Sequence, residues 1–326
     1  LHYPLRRQRQ MCIRDRARRL SPPLALGGAV AIGVMTAIQA RINGVLGVEV
    51  DNGIVAGLIS FSVGLAALAV VIVCIPSARR GVGRLLGGIR DRTIPFWMLL
   101  GGACGALTVS TQGITAGVLG VSLFSVGVVA GQTLHGLVLD RIGFGPAGVV
   151  AITPGRVLGG ALALAAVGIS LSGDVLATAP LWMLLLPFAA GVGIAWQAAT
   201  NGRLSQRVRS PLAATFMSFI AGTIALLVAA GISIAVRGAP DAPPTEPWLY
   251  LGGFLGAAYI LLGAFIVAHI GVLLMGLGSV LGQLATSVII DLIWPAAAGP
   301  APWQIIGMVV VAVASVAVAL PRSRRN

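Results

Sequence analysis

The sequence contains no lysine and only nine acidic residues, so charged side chains make up 10% of its 326 positions. Hydrophobic residues supply 57%, against roughly half in an average soluble domain. So little charge excludes a large soluble domain, and the mean hydropathy of +0.97 agrees. The composition predicts an integral membrane protein.

Cysteine is also scarce, with Cys12, Cys74 and Cys104 the only three. Two of them lie inside apolar runs, and no C-x-x-C spacing occurs. This pattern excludes a disulfide framework and offers no ligand set for a structural zinc ion. We therefore expect neither a metal site nor a cofactor.

The first 20 residues carry seven arginines and no apolar run. The chain opens with Leu1, and the segment from Met11 to Arg16 resembles translated adapter sequence. We therefore expect residues 1–20 to be a basic arm, in part an artefact, and the fold to start near Leu20.

Ten apolar runs follow, each of about 20 residues, the length with which a helix crosses a bilayer. Five lie in the first half of the chain, near residues 24–43, 54–75, 95–116, 121–139 and 149–171. Five lie in the second half, near residues 181–201, 212–236, 248–268, 272–290 and 303–320. The sequence thus predicts an all-α membrane protein with ten transmembrane helices.

The two sets of five repeat each other. Four positions recur 158 residues later, namely Gln39, Asn43, Ser60 and Gly64 as Gln197, Asn201, Ser218 and Gly222. Five more recur 151 residues later, namely Gly101, Gly102, Gly131, Gln132 and Asp140 as Gly252, Gly253, Gly282, Gln283 and Asp291. The change of offset places a seven-residue difference in the loop between the second and third spans. Since five is odd, the copies, residues 21–174 and 175–326, must cross the membrane in opposite senses, an inverted repeat typical of transporters.

Arginine placement orients these spans. With the N-terminus in the cytoplasm, 20 of the 22 arginines are cytoplasmic and only Arg41 and Arg237 are external. Both termini are therefore predicted to be cytoplasmic. The basic excess is explained by orientation, so we expect the lipid bilayer and a small solute as partners and no nucleic acid.

The paired residues resemble the YdcZ-type family of the drug/metabolite transporter superfamily, in its fused two-repeat form. The likeness rests on a Gln-x-x-x-Asn in the first span and a Gly-Gln followed by Asp at the fourth. Both halves match it, with Gln39, Asn43, Gln132 and Asp140 and with Gln197, Asn201, Gln283 and Asp291. Arg156 and Gly159 fit the family's entry to the fifth span, whereas the second copy has Gln304 and Gly307. The resemblance implies a ten-helix exporter in the cytoplasmic (inner) membrane of a bacterium, with a substrate cavity between the halves.

Intramembrane polar residues are the first candidates for a substrate site, because an unpartnered polar group in hydrocarbon is costly. Gln132 and Gln283 lie about ten residues into their spans, near the midplane where inverted-repeat carriers bind substrate. The alternative is that these amides only join helices. Small-xxx-small faces beside these glutamines, formed by Gly127 with Gly131 and by Gly278 with Gly282, predict tight helix contact at the same depth.

His135, one turn beyond Gln132, either relays protons or is structural. No glutamate lies inside a predicted span. Small relatives in the resembled superfamily use such a glutamate to export cationic drugs, so we expect a different coupling here. The ends of the fourth and ninth spans carry Asp140 and Asp291, and each aspartate needs a compensating donor or cation, such as Arg141 or Arg156 for Asp140.

Two further sets of polar residues are candidates. Gln39 and Asn43 share one helix face, as do Gln197 and Asn201, so each pair either lines a gate or satisfies a helix end. Thr108 and its repeat counterpart Tyr259 suit a cavity wall, although a hydroxyl also bonds its own helix.

The sequence thus predicts a transporter that moves a small metabolite or drug-like solute by alternating access, as a monomer or homodimer. The alternative is a non-transporting membrane scaffold or regulatory subunit. An enzyme is not expected, because His135 has no nucleophile motif such as G-x-S-x-G to serve.

Overall fold

The computed structural model describes residues 21–151, 153–155, 157–158, 160–162, 165 and 181–294. Within these ranges the secondary structure is helical, without strands. The α-helices are α1 (Pro22–Glu49), α2 (Gly53–Cys74), α3 (Pro76–Arg90), α4 (Gly101–Thr111), α5 (Val121–Arg141), α6 (Leu181–Val208), α7 (Pro211–Arg237) and α8 (Leu251–Ile293). A π-helical turn, Gln112–Ala116, and the short helix Gly117–Leu119 extend α4.

Five described helices are long and apolar enough to cross a membrane: Pro23–Glu49, Gly53–Cys74, Val121–Arg141, Pro211–Arg237 and Pro247–Ile293. The last contains two predicted spans, and α4 and α6 cover the third and sixth. The tenth predicted span, about half of the fifth and the arm at residues 1–20 lie outside the described residues, as do Arg156, Gly159, Gln304 and Gly307.

Helix α3 accounts for the extra length of the first half. It lies in the loop between the second and third spans, whereas residues 238–246 of the second half contain no helix. Arg84 of α3 donates from Nε to the Val208 carbonyl oxygen over 2.6 Å and from Nη2 to that of Arg209. An amphipathic helix thus stands where we expected only a basic loop, and it satisfies orphan carbonyls at the end of α6.

The duplication extends to the turns between helices. Asn52 accepts hydrogen bonds from the amides of Ile54 and Val55 at the start of α2, and Ser210 accepts one from Ala213 at the start of α7. The residues before these caps, Asp51 and Arg209, share a positive φ of 47° and 50°. Capping by a short polar side chain therefore starts the second helix of each half.

In each half a single glycine joins the helices of the third and fourth predicted spans. Gly120 has φ 83° and ψ 162°, and Gly271, which divides α8, has φ 80° and ψ 170°. This backbone conformation strains any residue with a Cβ atom, so glycine is required at both joints. The halves of α8, residues 251–270 and 272–293, correspond to α4 with its extension and to α5.

The two repeats interlock. The helix of the first span in each half crosses the helix of the fourth span in the other half. These crossings are α1 on residues 272–293 of α8 and α6 on α5. A Cβ atom on Gly131 would overlap the carbonyl oxygen of Phe188, and one on Gly282 would overlap that of Val30. The predicted tight contact beside Gln132 and Gln283 is therefore confirmed at these glycines, and backbone meets backbone at the same depth in both crossings.

The second helices meet at the centre of the bundle. The rings of Phe61 and Phe219, which are repeat counterparts, stack with centroids 4.6 Å apart. Gly64 makes room for Phe219, and Gly222 makes room for Phe61. The residues related by the repeat thus face each other, as they would across a two-fold axis.

Candidate functional site

The carboxylates of Asp140 and Asp291 cap helices of the opposite repeat. Asp291 accepts hydrogen bonds from the amides of Val121 and Ser122 at the start of α5, the shorter over 2.8 Å. Asp140 accepts hydrogen bonds from Val272 and Leu273 over 2.9 and 3.0 Å. Each anion at a helix end thus lies at the positive end of another helix, and these donors are main-chain amides, which the sequence did not indicate.

The Gln39–Asn43 pair of the first half belongs to a buried amide cluster with Gln112. Asn43 Nδ2 donates to Gln112 Oε1 over 2.7 Å, and Gln112 Nε2 approaches Gln39 Oε1 at 3.4 Å. Gln39 Nε2 also donates to the carbonyl oxygen of Gly252 over 2.8 Å. The pair does not end its helix, since α1 continues to Glu49.

The Gln197–Asn201 pair of the second half has different partners. Gln197 Nε2 and Asn201 Nδ2 both donate to the hydroxyl of Ser218, over 3.2 and 3.1 Å. The counterpart of Gln112 is Gly263, which has no side chain to offer. The same sequence motif is therefore enclosed in one half and has an open face in the other.

The Gly-Gly-x-x-Gly stretch of each half packs on the Gln-x-x-x-Asn pair of the other half. A Cβ atom on Gly101 would lie 2.7 Å from Asn201 Oδ1, and one on Gly105 2.6 Å from Gln197 Nε2. Gly252 and Gly256 approach Asn43 and Gln39 in the same way. The two motifs found by sequence comparison are thus the two sides of one contact.

A cavity lies between the repeats, on the open side of the Gln197–Asn201 pair. Its polar lining consists of Thr36, Gln132, Gln197, Asn201, Tyr259, Ser279 and Gln283. Its apolar lining consists of Ile32, Ile194, Ala198, Ile260, Gly263, Ala264 and Met275. The space open to the centre of a water molecule is about 30 Å³, enough for about two waters and too little for a ring. The cavity is thus constricted.

Gln132 and Gln283 bring unpartnered amide groups to this cavity. Their side chains are 3% and 1% exposed. Neither Gln132 Oε1 nor the Oε1 and Nε2 of Gln283 has a hydrogen-bond partner among the described residues. A buried polar atom without a partner costs roughly 1–3 kcal/mol, so such a pair needs a reason to persist.

The structure separates the nine predicted site residues. Five of them line the cavity: Gln132, Gln283, Tyr259, Gln197 and Asn201. Gln39 and Asn43 lie in the amide cluster instead, and the Thr108 hydroxyl donates to the Cys104 carbonyl oxygen of its own helix over 2.9 Å. His135 is half-buried and is absent from the described cavity lining.

Sequence analysis missed the role of Gly263 and the apolar wall of the cavity. The signal for Gly263 was available, because Gln112 stands 151 positions earlier and its amide has no counterpart. The sequence gives no signal for the apolar wall residues, since Ile32 and Met275 do not differ in type or spacing from the other apolar residues of a span. The arrangement provides neutral hydrogen-bonding groups and aliphatic contacts, and the described residues contain no group of three or more potential metal ligands.

A family model described as "Putative inner membrane exporter, YdcZ" matches the chain twice, over residues 24–169 and 182–317. The two matches cover one repeat each and together most of the chain. A search of curated proteins finds no match.

Proposed function

Because the chain belongs to the YdcZ family of membrane exporters, we propose that it moves a small metabolite or drug-like solute across the bacterial cytoplasmic membrane by alternating access. The cavity between the repeats is the substrate site in this proposal. The observation that carries it is the pair of repeat-related glutamines, Gln132 and Gln283, whose buried amide atoms have no described partner. A solute that bonds these atoms would remove the cost of leaving them unpaired.

The proposal includes ten spans with both termini in the cytoplasm. The distribution of arginines supports this orientation, and the double family match supports two copies of one unit. Since α1 then runs outward and α6 inward, Gln39 and Asn43 lie toward the external side and Gln197 and Asn201 toward the cytoplasm. The amide cluster with Gln112 would close the outer route, while the cavity faces inward, as an exporter requires for loading.

Transport needs the constricted cavity to widen and to change sides. The repeat supplies the means, because each half makes the same crossings on the other and the two arrangements can exchange. In this scheme the stack of Phe61 on Phe219 marks the pivot, and the crossings at Gly131 and Gly282 move as units. Family membership points to transport rather than to catalysis.

Ligand-dependent stabilisation of the full chain tests the proposal. A panel of metabolites and drugs is screened by melting temperature in detergent, because a ligand of the folded state raises stability. Each compound that binds is then tested for flux in proteoliposomes. The double variant Gln132→Ala, Gln283→Ala is expected to keep its fold and lose both signals, whereas Gln206→Ala, which removes an exposed glutamine, retains both.

Two results would contradict the proposal. Binding that survives in the folded double variant would place the solute elsewhere. Binding without flux for every compound of the panel would favour the scaffold or regulatory subunit over a transporter.

A further inference from the structure

We infer that the solute of this cavity is uncharged, with a hydrogen-bonding group such as a carboxamide at one end and an aliphatic or ring portion at the other. This inference rests on the proposed transport function and names the chemical class of its substrate. It follows from the groups that line the cavity and from the groups that are occupied elsewhere.

The described lining of the cavity carries no charge to pair with an ion. None of the described residues that line it is Asp, Glu, Arg or His. A charged solute would leave water and find only amides and hydroxyls, which repay little of its desolvation. A neutral solute of the same shape avoids that cost.

Two arginines on helices that line the cavity, Arg41 of α1 and Arg203 of α6, contact other groups. Arg41 lies over the Trp294 ring, with its Cζ 4.5 Å from the ring centroid. Arg203 donates to the carbonyl oxygen of Gly143 over 2.6 Å. Neither arginine is among the described residues that line the cavity.

Two helix starts among the described residues are closed to an anion. Inverted-repeat carriers bind anionic groups at the N-termini of broken helices. In this chain the helix starts after Gly120 and Gly271 are already occupied by the carboxylates of Asp291 and Asp140. Both helix starts are thus bonded to the protein's own carboxylates.

The unpartnered atoms define what the solute must offer. Gln132 Oε1 and Gln283 Oε1 are hydrogen-bond acceptors and Gln283 Nε2 is a donor, each without a partner among the described residues. A carboxamide, urea or similar group carries donors and acceptors together and pairs with all three atoms. Around them, Ile32, Ile260 and Met275 form an apolar wall, in which methionine adapts to different shapes.

Isosteric triples test the charge of the solute. Each triple holds a carboxamide, a carboxylate and an amidinium on one skeleton, as in benzamide, benzoate and benzamidinium, and the panel varies the skeleton. Binding to the full chain is measured by thermal stabilisation at constant ionic strength. We expect the carboxamides to bind at least about tenfold more tightly than their charged partners, since an unpaired charge costs more than the 1.4 kcal/mol that tenfold represents.

Variants locate the binding group. Gln132→Leu and Gln283→Leu are each expected to weaken carboxamide binding by about tenfold or more, and Gln206→Leu is expected to leave it unchanged. Equal or tighter binding of charged members, or a panel in which no carboxamide binds, would overturn the inference.

Flux in proteoliposomes separates this inference from the function beneath it. If carboxamides bind at the glutamines and none is transported, the substrate class stands as a ligand class and the transport function fails. If charged members are transported in preference, the transport function stands and the substrate class is wrong.

Discussion

The two Gln-x-x-x-Asn pairs are identical in sequence and differ in their surroundings. Gln39 and Asn43 are closed in by the side chain of Gln112, whereas the counterpart position beside Gln197 and Asn201 is Gly263. The first pair is part of a sealed cluster, and the second lines the cavity. The difference lies at one pair of counterpart positions, Gln112 in the extension of α4 and Gly263 in α8.

The contrast shows which parts of the duplication stayed symmetric. The close crossings, the single-glycine joints and the aspartate caps occur in both halves with nearly the same geometry. The halves differ at Gln112 and its counterpart Gly263, where a side chain either fills the space beside the Gln-x-x-x-Asn pair or leaves it open. A symmetric framework therefore carries a one-sided cavity.

Filling the space beside the Gln197–Asn201 pair should have the largest effect on ligand binding. Gly263→Gln places in the second half the side chain that seals the first, and the nearest atoms to an added Cβ are 3.9 Å away at Ile32 and Met275. We expect the fold to be kept and ligand binding to fall by about a hundredfold, because the cavity is already narrow. Thermal stabilisation by the compounds of the panel measures the loss.

Gly263→Ala is the matched control, since a methyl group enters without contact closer than 3.9 Å. It should bind nearly as the unaltered chain does. If Gly263→Gln kept full binding, the space beside Gln197 and Asn201 would not be part of the substrate site.

The crossings should respond equally in the two halves. Gly131→Ala and Gly282→Ala force two backbones apart, at an expected cost of about 3 kcal/mol each. Gly231→Ala, at a helix position with nothing within 4 Å of the added Cβ, should instead raise stability by up to about 1 kcal/mol. Melting temperatures in detergent compare the three, and a large loss in only one crossing would contradict the symmetry.

The aspartate caps should show a smaller and again matched effect. Asp140→Ala and Asp291→Ala each leave two main-chain amides at a helix start without their acceptor, at a cost of about 2 kcal/mol. Asn at either position keeps one acceptor oxygen and should recover part of the loss. A neutral result for Asp291→Ala in the same melting assay would mean that the amides of Val121 and Ser122 do not depend on it.

The repeat made much of the fold predictable from sequence. Matching residues at offsets of 158 and 151 located helix pairs that the structure confirms, and the small residues beside Gln132 and Gln283 predicted the close crossings. Helix α3 was not predicted, because Pro76–Arg90 is too polar to form a membrane span and its short apolar face is buried only by packing on α6 and α7.

The cavity was only half predictable. Gln132 and Gln283 could be placed at mid-span by counting residues. The two Gln-x-x-x-Asn pairs could not be told apart, since their difference arises from a third helix that meets them only in the folded chain. The donors to Asp140 lie 132 residues further along, so no local pattern could indicate them.

The reciprocal caps also bear on biogenesis. The acceptor for the amides at the start of α5 is Asp291, about 170 positions later in the chain. The amides that donate to Asp140 are synthesised only after most of the second half has been translated. The first half of the chain therefore leaves the ribosome before Asp291, which caps the start of α5, and before the two amides of the second half that bond Asp140. Both contacts form only once the second copy is present, so we expect the first copy to complete its fold together with the second.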